Sequence, residues 1–349
     1  MTAPRVVIAA VQSPFLSGGA EKLVEGLHRE LSARAFECDV VRLPLFERTG
    51  FDVAKSALLW RLGDFGFLGG RDVDALIATR FPSYLARHPR KVVWLVHQYR
   101  QAYDQFGTAY SGFTTSEDDT RAREMIRRMD TVGLSEARAV FTISRNVSDR
   151  LARYNGVESR ALYPPPPLAG RYRCEPPQDY LLWVGRLERW KRPHLAVAAL
   201  AHAPEVRLRI VGEGPERAAL ERLARELSVS DRCEMLGTVS DEKMIELFSR
   251  ARAVAVTAAD EDYGYVPLEA FLSGRPVFTV TDAGGPLEFV ADGRTGIVTE
   301  PDPEALGTAL RIAWNRDAAL ARMGERGKAI ASGLGWDEVV ERLTGAAGL

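Results

Sequence analysis

Two glutamates separated by seven residues form the clearest chemical pattern in this chain, Glu261 and Glu269. Pro267, a residue typical of the first turn of a helix, predicts that Glu261 lies in the preceding loop and that Glu269 lies about one turn inside the helix. The backbone N–H groups of Tyr265 and Val266 would then face an anion at the helix N-terminus. Crowded carboxylates favour a ligand that brings hydroxyl groups or positive charge. A solvated acidic loop is the alternative.

A cationic loop follows a short apolar stretch near the middle of the chain. Residues 181–185 end in Gly185, Arg186 comes next, and Lys191 lies five residues further on. A planar guanidinium and a compact ammonium can together neutralise a diphosphate without a metal ion. The loop therefore predicts a diphosphate site, with a solvated basic turn as an equal alternative.

A pair of glycines, Gly18 and Gly19, separates the first apolar stretch from an amphipathic one. Glycines at such a point let backbone N–H groups approach an anion at the start of a helix. The surrounding residues have neither the G-x-G-x-x-G spacing of dinucleotide-binding folds nor the Gly-Lys-Ser/Thr of a P-loop. An ordinary turn is the alternative for this pair.

Predicted strands and helices alternate along the chain around these residues. Short runs rich in Val and Ile predict buried parallel strands, and amphipathic stretches between them predict helices. This alternation is typical of doubly wound α/β domains. Predicted strands lie at residues 5–11, 39–43, 74–80, 92–97, 139–144, 181–185, 207–212, 253–257 and 276–280, and predicted helices include residues 20–34, 148–154, 216–227 and 241–249.

The alternation restarts once along the 349 residues, so two domains are expected. Prolines crowd residues 164–177, where they forbid helix and central strand and favour a stiff connector. We predict a first domain over residues 1–163, a linker over 164–179 and a second domain over 180–335. Ligands of such sheets bind beyond the carboxyl ends of the strands, so the site is expected in a cleft between the two domains.

The composition argues against several classes of protein. The 46 basic and 47 acidic side chains give a net charge of −1, which is unlike a nucleic-acid binder. Three isolated cysteines suggest neither a disulfide framework nor a zinc site and fit the cytoplasm. No apolar run approaches the length of a membrane span. Cations and apolar residues at 121–129 leave peripheral contact with the inner membrane face open, although a charged exterior helix explains them better.

Several motifs over residues 181–304 occur in the order found in the retaining glycosyltransferases of family 4, and this part of the chain resembles their donor-binding domain. The first half is similar less closely, through Gly18-Gly19, His97 at a strand end and residues 142–145. The motifs of the second half are Gly185-Arg186-Leu187 with Lys191, Val211-Gly212-Glu213-Gly214-Pro215, the E-x7-E pair Glu261 and Glu269, and Gly284-Gly285-Pro286 followed by Glu288.

The resemblance implies the GT-B fold, in which two Rossmann-like doubly wound domains face each other across a cleft. It also implies that a terminal helix, residues 336–349, packs back on the first domain. The activity it implies is the transfer of a hexose from a nucleoside-diphosphate sugar to a hydroxyl group of a glycan, a glycolipid or a small molecule. The mechanism implied is a metal-independent displacement on one face of the sugar, without a cofactor, in which the leaving phosphate takes the acceptor proton. A nucleotide-sugar-binding module without turnover and a Rossmann NAD-dependent oxidoreductase stay as alternatives.

The resemblance also implies a role for each residue that matches a family motif. Arg186 and Lys191 would bind the donor diphosphate and stabilise the departing nucleotide. Glu269 would accept hydrogen bonds from the ribose, Glu261 would hold the donor sugar, and His97 would lie beside that sugar. The remaining donor-binding residues implied are Gly18, Gly19, Gly185, Gly212, Gly214, Gly264, Tyr265 and Val266.

The acceptor side is matched less well by the family pattern. A packed, hydrogen-bonded residue is the alternative for His97, and the acidic residue often found just after it in the family is replaced by Gln98. Arg100 and Tyr103 are predicted to contact the acceptor. The D-x-D sequence at Asp72–Asp74 matches the metal-binding motif of the other major glycosyltransferase fold, but it precedes a predicted strand and is interpreted as a turn.

Overall fold

The computed structural model describes residues 3–12, 18–108 and 110–349. The chain divides into two compact units: Met1–Pro167 together with Gly335–Leu349, and Leu168–Leu334. The division falls after Pro167, inside the proline-rich stretch.

The first unit is built on a parallel sheet flanked by helices. Six strands pair in the order β2-β1-β5-β6-β7-β8. A hairpin of two short strands, β3 and β4, each two residues long, lies outside the sheet. The strands are β1 Arg5–Gln12, β2 Glu37–Pro44, β3 Phe67–Leu68, β4 Arg71–Asp72, β5 Ala75–Ala78, β6 Lys91–Leu95, β7 Ala139–Thr142 and β8 Arg160–Ala161; the helices are α1 Gly19–Ala33, α2 Gly50–Leu62, α3 Glu117–Ser135 and α4 Arg145–Asn155.

The second unit repeats this plan with a different strand order. Its six parallel strands pair in the order β11-β10-β9-β12-β13-β14. The strands are β9 Leu181–Val184, β10 Leu208–Val211, β11 Cys233–Gly237, β12 Ala253–Val256, β13 Val277–Val280 and β14 Gly296–Thr299; the helices are α5 Pro193–Ala199, α6 Arg217–Glu226, α7 Asp241–Arg250, α8 Tyr265–Leu272, α9 Pro303–Trp314 and α10 Asp317–Ala331.

The prediction of two doubly wound α/β domains is confirmed by these sheets. All residues of β5, β6, β12 and β13 are buried, as expected for parallel strands that are covered on both faces. The direction of strand succession reverses between β1 and β5 in the first unit, and between β9 and β12 in the second. Ligands of open α/β sheets bind where the carboxyl ends of such neighbouring strands meet.

The last helix, α11 (Trp336–Ala347), packs on the first unit. The Trp336 ring lies edge-on to Trp94, with 6.1 Å between ring centroids. It also lies against Gly26, where an added Cβ would come within 2.5 Å of the Trp336 ring. At the other end of the helix, the Arg138 guanidinium donates to the Ala347 carbonyl at 3.1 Å. A tryptophan anchored against a helix glycine thus fixes the terminal helix on this unit.

Within the described ranges, no helix is long and apolar enough to cross a bilayer. The stretch at residues 121–129 belongs to α3 and is amphipathic. Ile126 is fully buried, whereas Met125 is 38% exposed between exposed arginines, Arg121 and Arg128.

Candidate functional site

The switch point of the second unit brings together the cationic loop and the acidic loop. Strand β9 pairs directly with β12, with Leu181 beside Ala253 and Trp183 beside Ala255. The loop after β9 carries Arg186 and Lys191, and the loop after β12 carries Glu261. Residues that are 70 positions apart in the chain are therefore neighbours at one sheet edge.

An ion pair between Lys191 and Glu261 lies at the centre of this edge. Both side chains are mostly covered, with 22% and 15% of their surfaces exposed. The Lys191 ammonium also lies 4.2 Å from the centroid of the Trp190 ring, a cation–π contact that fixes its direction. The site thus holds a cation and a carboxylate side by side, already ordered.

Arg186 is the more exposed cation of the loop. Half of its side chain is exposed, and its guanidinium pairs with Glu188 at 2.7 Å. The other Glu188 carboxyl oxygen accepts from the Trp190 indole at 2.5 Å. An exposed pair of this kind contributes little to stability, so the guanidinium can exchange its partner for a phosphate at small cost.

The two loops are tied together by bonds to backbone atoms. The Ala259 N–H donates to the Trp190 carbonyl at 2.9 Å. Arg192 adopts a left-handed conformation, with φ of 50°, and its guanidinium donates to the Thr257 carbonyl at 2.8 Å and to both oxygens of Asp282. The Arg192 side chain is mostly covered, and its bonds help to fix the position of the neighbouring Lys191.

The acidic loop continues as a short extended pairing with the loop after β13. The Glu261 N–H donates to the Ala283 carbonyl, and the Gly285 N–H donates to the Glu261 carbonyl, both at 2.8 Å. Gly264, with φ of 78°, then turns the chain into α8. The first-turn N–H groups of Tyr265 and Val266 accordingly lie at the helix N-terminus, as predicted.

Glu269 lies in α8, one turn after Tyr265, and accepts a hydrogen bond from the Tyr172 hydroxyl at 2.9 Å. Burial raises the pKa of Tyr172 well above its usual range, and the Glu269 carboxylate adds to this effect. Tyr172 therefore stays protonated and donates, which fixes one oxygen of Glu269.

The glycines of the predicted donor site are explained first by packing. A Cβ at Gly212 (φ 133°) would lie 1.8 Å from the Gly185 carbonyl oxygen, and one at Gly214 (φ 159°) would lie 2.4 Å from the Leu187 carbonyl oxygen. Only glycine lets these two loops approach so closely. At Gly185 itself a Cβ would come within 3.1 Å of the Trp183 ring. The three residues therefore shape the cationic loop, whatever they contact in a complex.

In the first unit, the glycine pair begins α1. Gly18 is the N-cap and Gly19 the first helical residue. The Gly18 N–H donates to the Glu21 carboxylate at 2.9 Å, so a carboxylate of the chain itself already occupies the helix N-terminus. The Arg80 guanidinium, whose side chain is mostly covered, lies 3.6 Å from the other Glu21 oxygen. Burial lowers the pKa of Arg80. The remainder of the loop, including Ser17, lies outside the described residues.

His97 follows strand β6 and is half-buried. Its Nδ1 lies 2.7 Å from the backbone carbonyl oxygen of Gln98. A carbonyl can only accept, so Nδ1 carries the hydrogen of this bond. In the neutral ring Nε2 then carries the lone pair.

Arg100 and Tyr103, the predicted acceptor-binding residues, are mostly covered and hydrogen-bonded within the first unit. Tyr103 is 3% exposed, and its hydroxyl donates to the buried Asp130 carboxylate at 2.6 Å. The Arg100 guanidinium pairs with Asp104 at 2.5 Å, and that aspartate also faces the buried Arg150 at 3.9 Å. The acceptor role of Tyr103 stays a prediction, although this burial could not be read from the sequence of the segment.

The D-x-D sequence forms part of a turn. Asp72 ends strand β4, and the Asp74 carboxylate accepts from the Arg5 backbone N–H at 2.8 Å. Across the described part of the chain, no three His, Cys, Asp or Glu side chains are grouped so that they would hold a metal ion.

Sequence reasoning missed three residues that shape the candidate site: Trp190, Tyr172 and Thr257. Trp190 directly precedes Lys191, and an aromatic residue next to a cation in the sequence could have indicated the contact. The Thr257 hydroxyl lies 2.9 Å from the Trp183 indole nitrogen, which donates to it, and 3.0 Å from the Lys191 carbonyl. No sequence pattern marks Tyr172 or Thr257, because each forms its hydrogen bond with a residue far away in the chain.

Comparison with known families bears on the second unit. Residues 172–330 match the model of the family described as Glycosyl transferases group 1. This match covers the Lys191–Glu261 edge and agrees with the glycosyltransferase resemblance of residues 181–304.

Curated relatives match over similar stretches. The chain is 31% identical over 241 residues to the D-inositol 3-phosphate glycosyltransferase of Streptomyces avermitilis, which covers 64% of this chain and 48% of the relative. It is 35% identical over 185 residues to the enzyme of the same name from Nocardia farcinica, covering 48% of this chain and 40% of the relative. The chain thus spans less than half the length of these relatives.

Solved structures match nearly the whole chain at low identity. Sucrose-phosphate synthase from Thermosynechococcus elongatus superposes with a TM-score of 0.77 at 19% identity, covering 98% of this chain and 97% of that one. Anabaena HepE in complex with UDP-glucose superposes with a TM-score of 0.69 at 19% identity, covering 99% of both. The GT-B fold class predicted from the sequence is confirmed by these likenesses.

Proposed function

We propose that this protein is a retaining glycosyltransferase that moves a hexose from a nucleoside-diphosphate sugar to a hydroxyl group. The observation that carries the proposal is the ordered Lys191–Glu261 pair beside Arg186 at the switch point of the second unit. A diphosphate needs cations, and a sugar needs hydrogen-bond acceptors. This edge offers both.

Arg186 and Lys191 are the proposed diphosphate ligands. Negative charge grows on the nucleoside diphosphate as the bond to the sugar breaks, and cations placed there stabilise that charge in the transition state. Two cations provide this stabilisation without a metal ion, so we propose metal-independent transfer. The leaving phosphate then takes the acceptor proton on the face from which it departs, which retains the configuration of the sugar.

The carboxylates are proposed to hold the neutral parts of the donor. Glu269, fixed by the Tyr172 hydroxyl at 2.9 Å, would accept from the ribose hydroxyls through its remaining lone pairs. Glu261 would accept from a sugar hydroxyl when Lys191 turns towards the phosphate. The N–H groups of Tyr265 and Val266, at the start of α8, would meet a phosphate oxygen.

The first unit is proposed to bind the acceptor, with His97 contacting a sugar hydroxyl. The acceptor is a hydroxyl group on a glycan, a glycolipid or a small molecule. The name of the curated relatives makes an inositol phosphate the first acceptor to test.

The first experiment measures thermal unfolding with UDP, GDP, dTDP, ADP and NAD at millimolar concentration. A ligand at 100 times its dissociation constant stabilises the folded state by about 2.7 kcal/mol. We expect stabilisation by one nucleoside diphosphate and its loss in Arg186→Ala. Arg342→Ala is the matched control, because Arg342 is 54% exposed and also pairs with a glutamate.

The outcomes separate the candidate functions. Binding of a nucleoside diphosphate followed by transfer of its sugar, with the anomeric configuration retained in the NMR spectrum of the product, would support the proposal. Binding without turnover on any acceptor would leave a nucleotide-sugar-binding module. Stabilisation by NAD alone would overturn the assignment of Arg186, Lys191 and Glu269.

A further inference from the structure

Each member of the Lys191–Glu261 pair has a neighbour with a left-handed backbone. Arg192 follows Lys191 with φ of 50°, and Asp260 precedes Glu261 with φ of 43°. For a residue with a Cβ this conformation is costly, so it persists only where surrounding contacts hold it. The contacts that hold Arg192 and Asp260 therefore also set how the charged pair is presented.

Both neighbours are bonded to Asp282, in the loop after β13. The Arg192 guanidinium donates to the two carboxylate oxygens of Asp282, at 2.8 Å and 2.5 Å. The Asp260 N–H donates to the Asp282 carbonyl at 2.8 Å. Strands β9, β12 and β13 are successive in the sheet, so one residue joins the loops that follow three neighbouring strands.

The Arg192 side chain is only 12% exposed, so its charge needs a negative partner. Within the described part of the chain, that partner is the Asp282 carboxylate. The guanidinium otherwise donates to two backbone carbonyls, those of Thr257 at 2.8 Å and Ala258 at 3.1 Å. A covered charge that loses its partner is strongly destabilised. Removal of the Asp282 carboxylate is therefore expected to displace Arg192, and Lys191 with it.

The loop that carries Asp282 is itself anchored to the edge of the sheet. The Thr281 N–H donates to the Thr299 carbonyl of β14 at 2.8 Å, and the Thr281 hydroxyl donates to the Glu300 carboxylate at 3.1 Å. Strand β13, which leads into the loop, is buried along its whole length. Asp282 thus lies at a fixed point from which it can hold the two charged loops.

We propose that Asp282 is a positioning residue for the Lys191–Glu261 pair: through its carboxylate it holds Arg192 beside the lysine, and through its carbonyl it holds Asp260 beside the glutamate. The cation and the carboxylate of the pair are then kept in one mutual arrangement before a ligand arrives. The inference deepens the proposed function and rests on it for the ligand, a nucleoside-diphosphate sugar. In this role Asp282 acts through Lys191 and Glu261 and need not touch the donor.

The test that needs no ligand is the position of Lys191 itself. The chain has six lysines, and after selective ¹³C labelling the ε-methylene NMR signals of Lys191 are those lost in Lys191→Ala. The Lys191 nitrogen lies 4.2 Å from the centroid of the Trp190 ring, so the ring current shifts these proton signals upfield. In Asp282→Ala we expect them to move towards the position of an unstructured lysine. Unchanged Lys191 signals would overturn the proposal.

Asp317→Ala is the matched control for lost stability. Asp317 accepts from the Arg252 guanidinium at 3.0 Å, and Arg252 is likewise mostly covered and donates to a backbone carbonyl, that of Trp314, at 2.7 Å. Arg252 directly precedes β12, so this pair lies at the end of the strand opposite the charged loops. We expect Asp317→Ala to lower the unfolding temperature and to leave the Lys191 signals unchanged. A shift in this variant as well would show a general loosening of the unit and would count against Asp282.

Binding of inorganic pyrophosphate, measured by calorimetry, connects this position with recognition of a diphosphate. We expect Asp282→Ala to raise the dissociation constant about tenfold, the effect of weakening one hydrogen bond to a charged group. Asp282→Asn keeps an acceptor for Arg192, and we expect it to recover part of the affinity.

A double-mutant cycle shows whether Asp282 acts through Lys191. In the Lys191→Ala background, we expect Asp282→Ala to change the dissociation constant for pyrophosphate by less than about twofold, because the residue through which it acts is gone. A further loss as large as the one in the wild type would mean that Asp282 acts independently of Lys191, which would overturn the proposal.

The outcomes keep this inference separate from the proposed function. Shifted Lys191 signals in a protein that binds no nucleoside diphosphate, or that transfers no sugar, would uphold the positioning role and reject the transferase. In an active enzyme, an unchanged kcat/KM for the nucleotide sugar in Asp282→Ala would reject the role of Asp282 in transfer.

Discussion

The polar groups near the switch points of the two sheets are held in different ways. In the second unit, the cationic and acidic loops are joined through backbone atoms, and the charged groups of Arg186, Lys191 and Glu261 are partly open to a ligand. In the described part of the first unit, two carboxylates are engaged within the chain: Glu21 accepts from the Gly18 N–H, and the buried Asp130 accepts from two tyrosine hydroxyls.

The difference lies in which interactions hold the loops of each edge in place. In the second unit, backbone bonds and the side chains of Arg192 and Thr257 hold the loops, so Arg186, Lys191 and Glu261 can be used for a ligand. An edge that is fixed through buried side chains can present only a few groups, each in one orientation. We therefore expect substitutions in the second unit to change charge recognition, and substitutions in the first unit to change geometry.

Removal of Lys191 should have the largest effect and tests the charged edge directly. Lys191→Ala is expected to lower kcat/KM for the nucleotide sugar by about 100-fold to 1000-fold, the range found when one group that stabilises a developing charge is lost. Lys243→Ala is the control, because this lysine pairs with Glu246 at 3.0 Å elsewhere in the second unit. Equal activities of the two variants in steady-state assays would mean that the edge does not bind the donor diphosphate.

A substitution at Gly212 should break the backbone framework of the same edge. In Gly212→Ala the new Cβ meets the Gly185 carbonyl oxygen at 1.8 Å, so the loops must separate, and we expect a loss of about 3 kcal/mol in the free energy of unfolding. Gly293 also has a positive φ, 65°, but no atom lies within 4 Å of an added Cβ, so Gly293→Ala should cost only about 1 kcal/mol. Urea unfolding of both variants measures the difference, and similar losses would contradict the close approach of the two loops.

The buried carboxylate of the first unit should give the stability a distinctive pH dependence. Burial raises the pKa of Asp130 to about 7, above its usual value in an unfolded chain. Between about pH 4 and pH 7 the folded state therefore binds more protons than the unfolded state, and stability falls as the pH rises. The steepest slope expected is about 1.4 kcal/mol per pH unit.

Urea unfolding across this pH range, with Asp130→Asn as the comparison, isolates the effect of the one carboxyl. The variant should lack this fall in stability. The same slope in both proteins would show that Asp130 is not the group that titrates.

The smallest effect is expected at the start of α1. Glu21→Gln keeps an acceptor for the Gly18 N–H, which donates at 2.9 Å in the wild type, but removes the charge near the helix dipole. We expect a loss below about 1 kcal/mol, measured by thermal unfolding against Glu25→Gln on the same helix. A loss of several kcal/mol would mean that Arg80 needs the negative charge of Glu21 nearby. The first edge would then depend on an ion pair, as the second edge has one in Lys191 and Glu261.

Much of the fold was predictable because parallel strands and amphipathic helices leave strong local patterns. Strand β6 was predicted at residues 92–97 and observed at Lys91–Leu95. Helix α2 was not singled out: Phe51, Leu58, Leu59 and Leu62 are exposed while Val53 and Trp60 are buried, so apolar residues lie on all sides and no helical period stands out. Without a helical period, the sequence of this stretch alone does not predict the helix.

The residue types at the candidate site could be read directly from the sequence: two cations after one strand, two carboxylates around a glycine turn, and a histidine at a strand end. The neighbours of these residues depend on how the chain folds. Lys191 meets Glu261 because β9 and β12 pair across the switch point. The Tyr103 hydroxyl donates to Asp130 because helix α3 places that carboxylate within reach. Local sequence encodes the chemistry that a side chain can do, but strand order and burial decide which group it reaches, because both depend on contacts between distant parts of the chain.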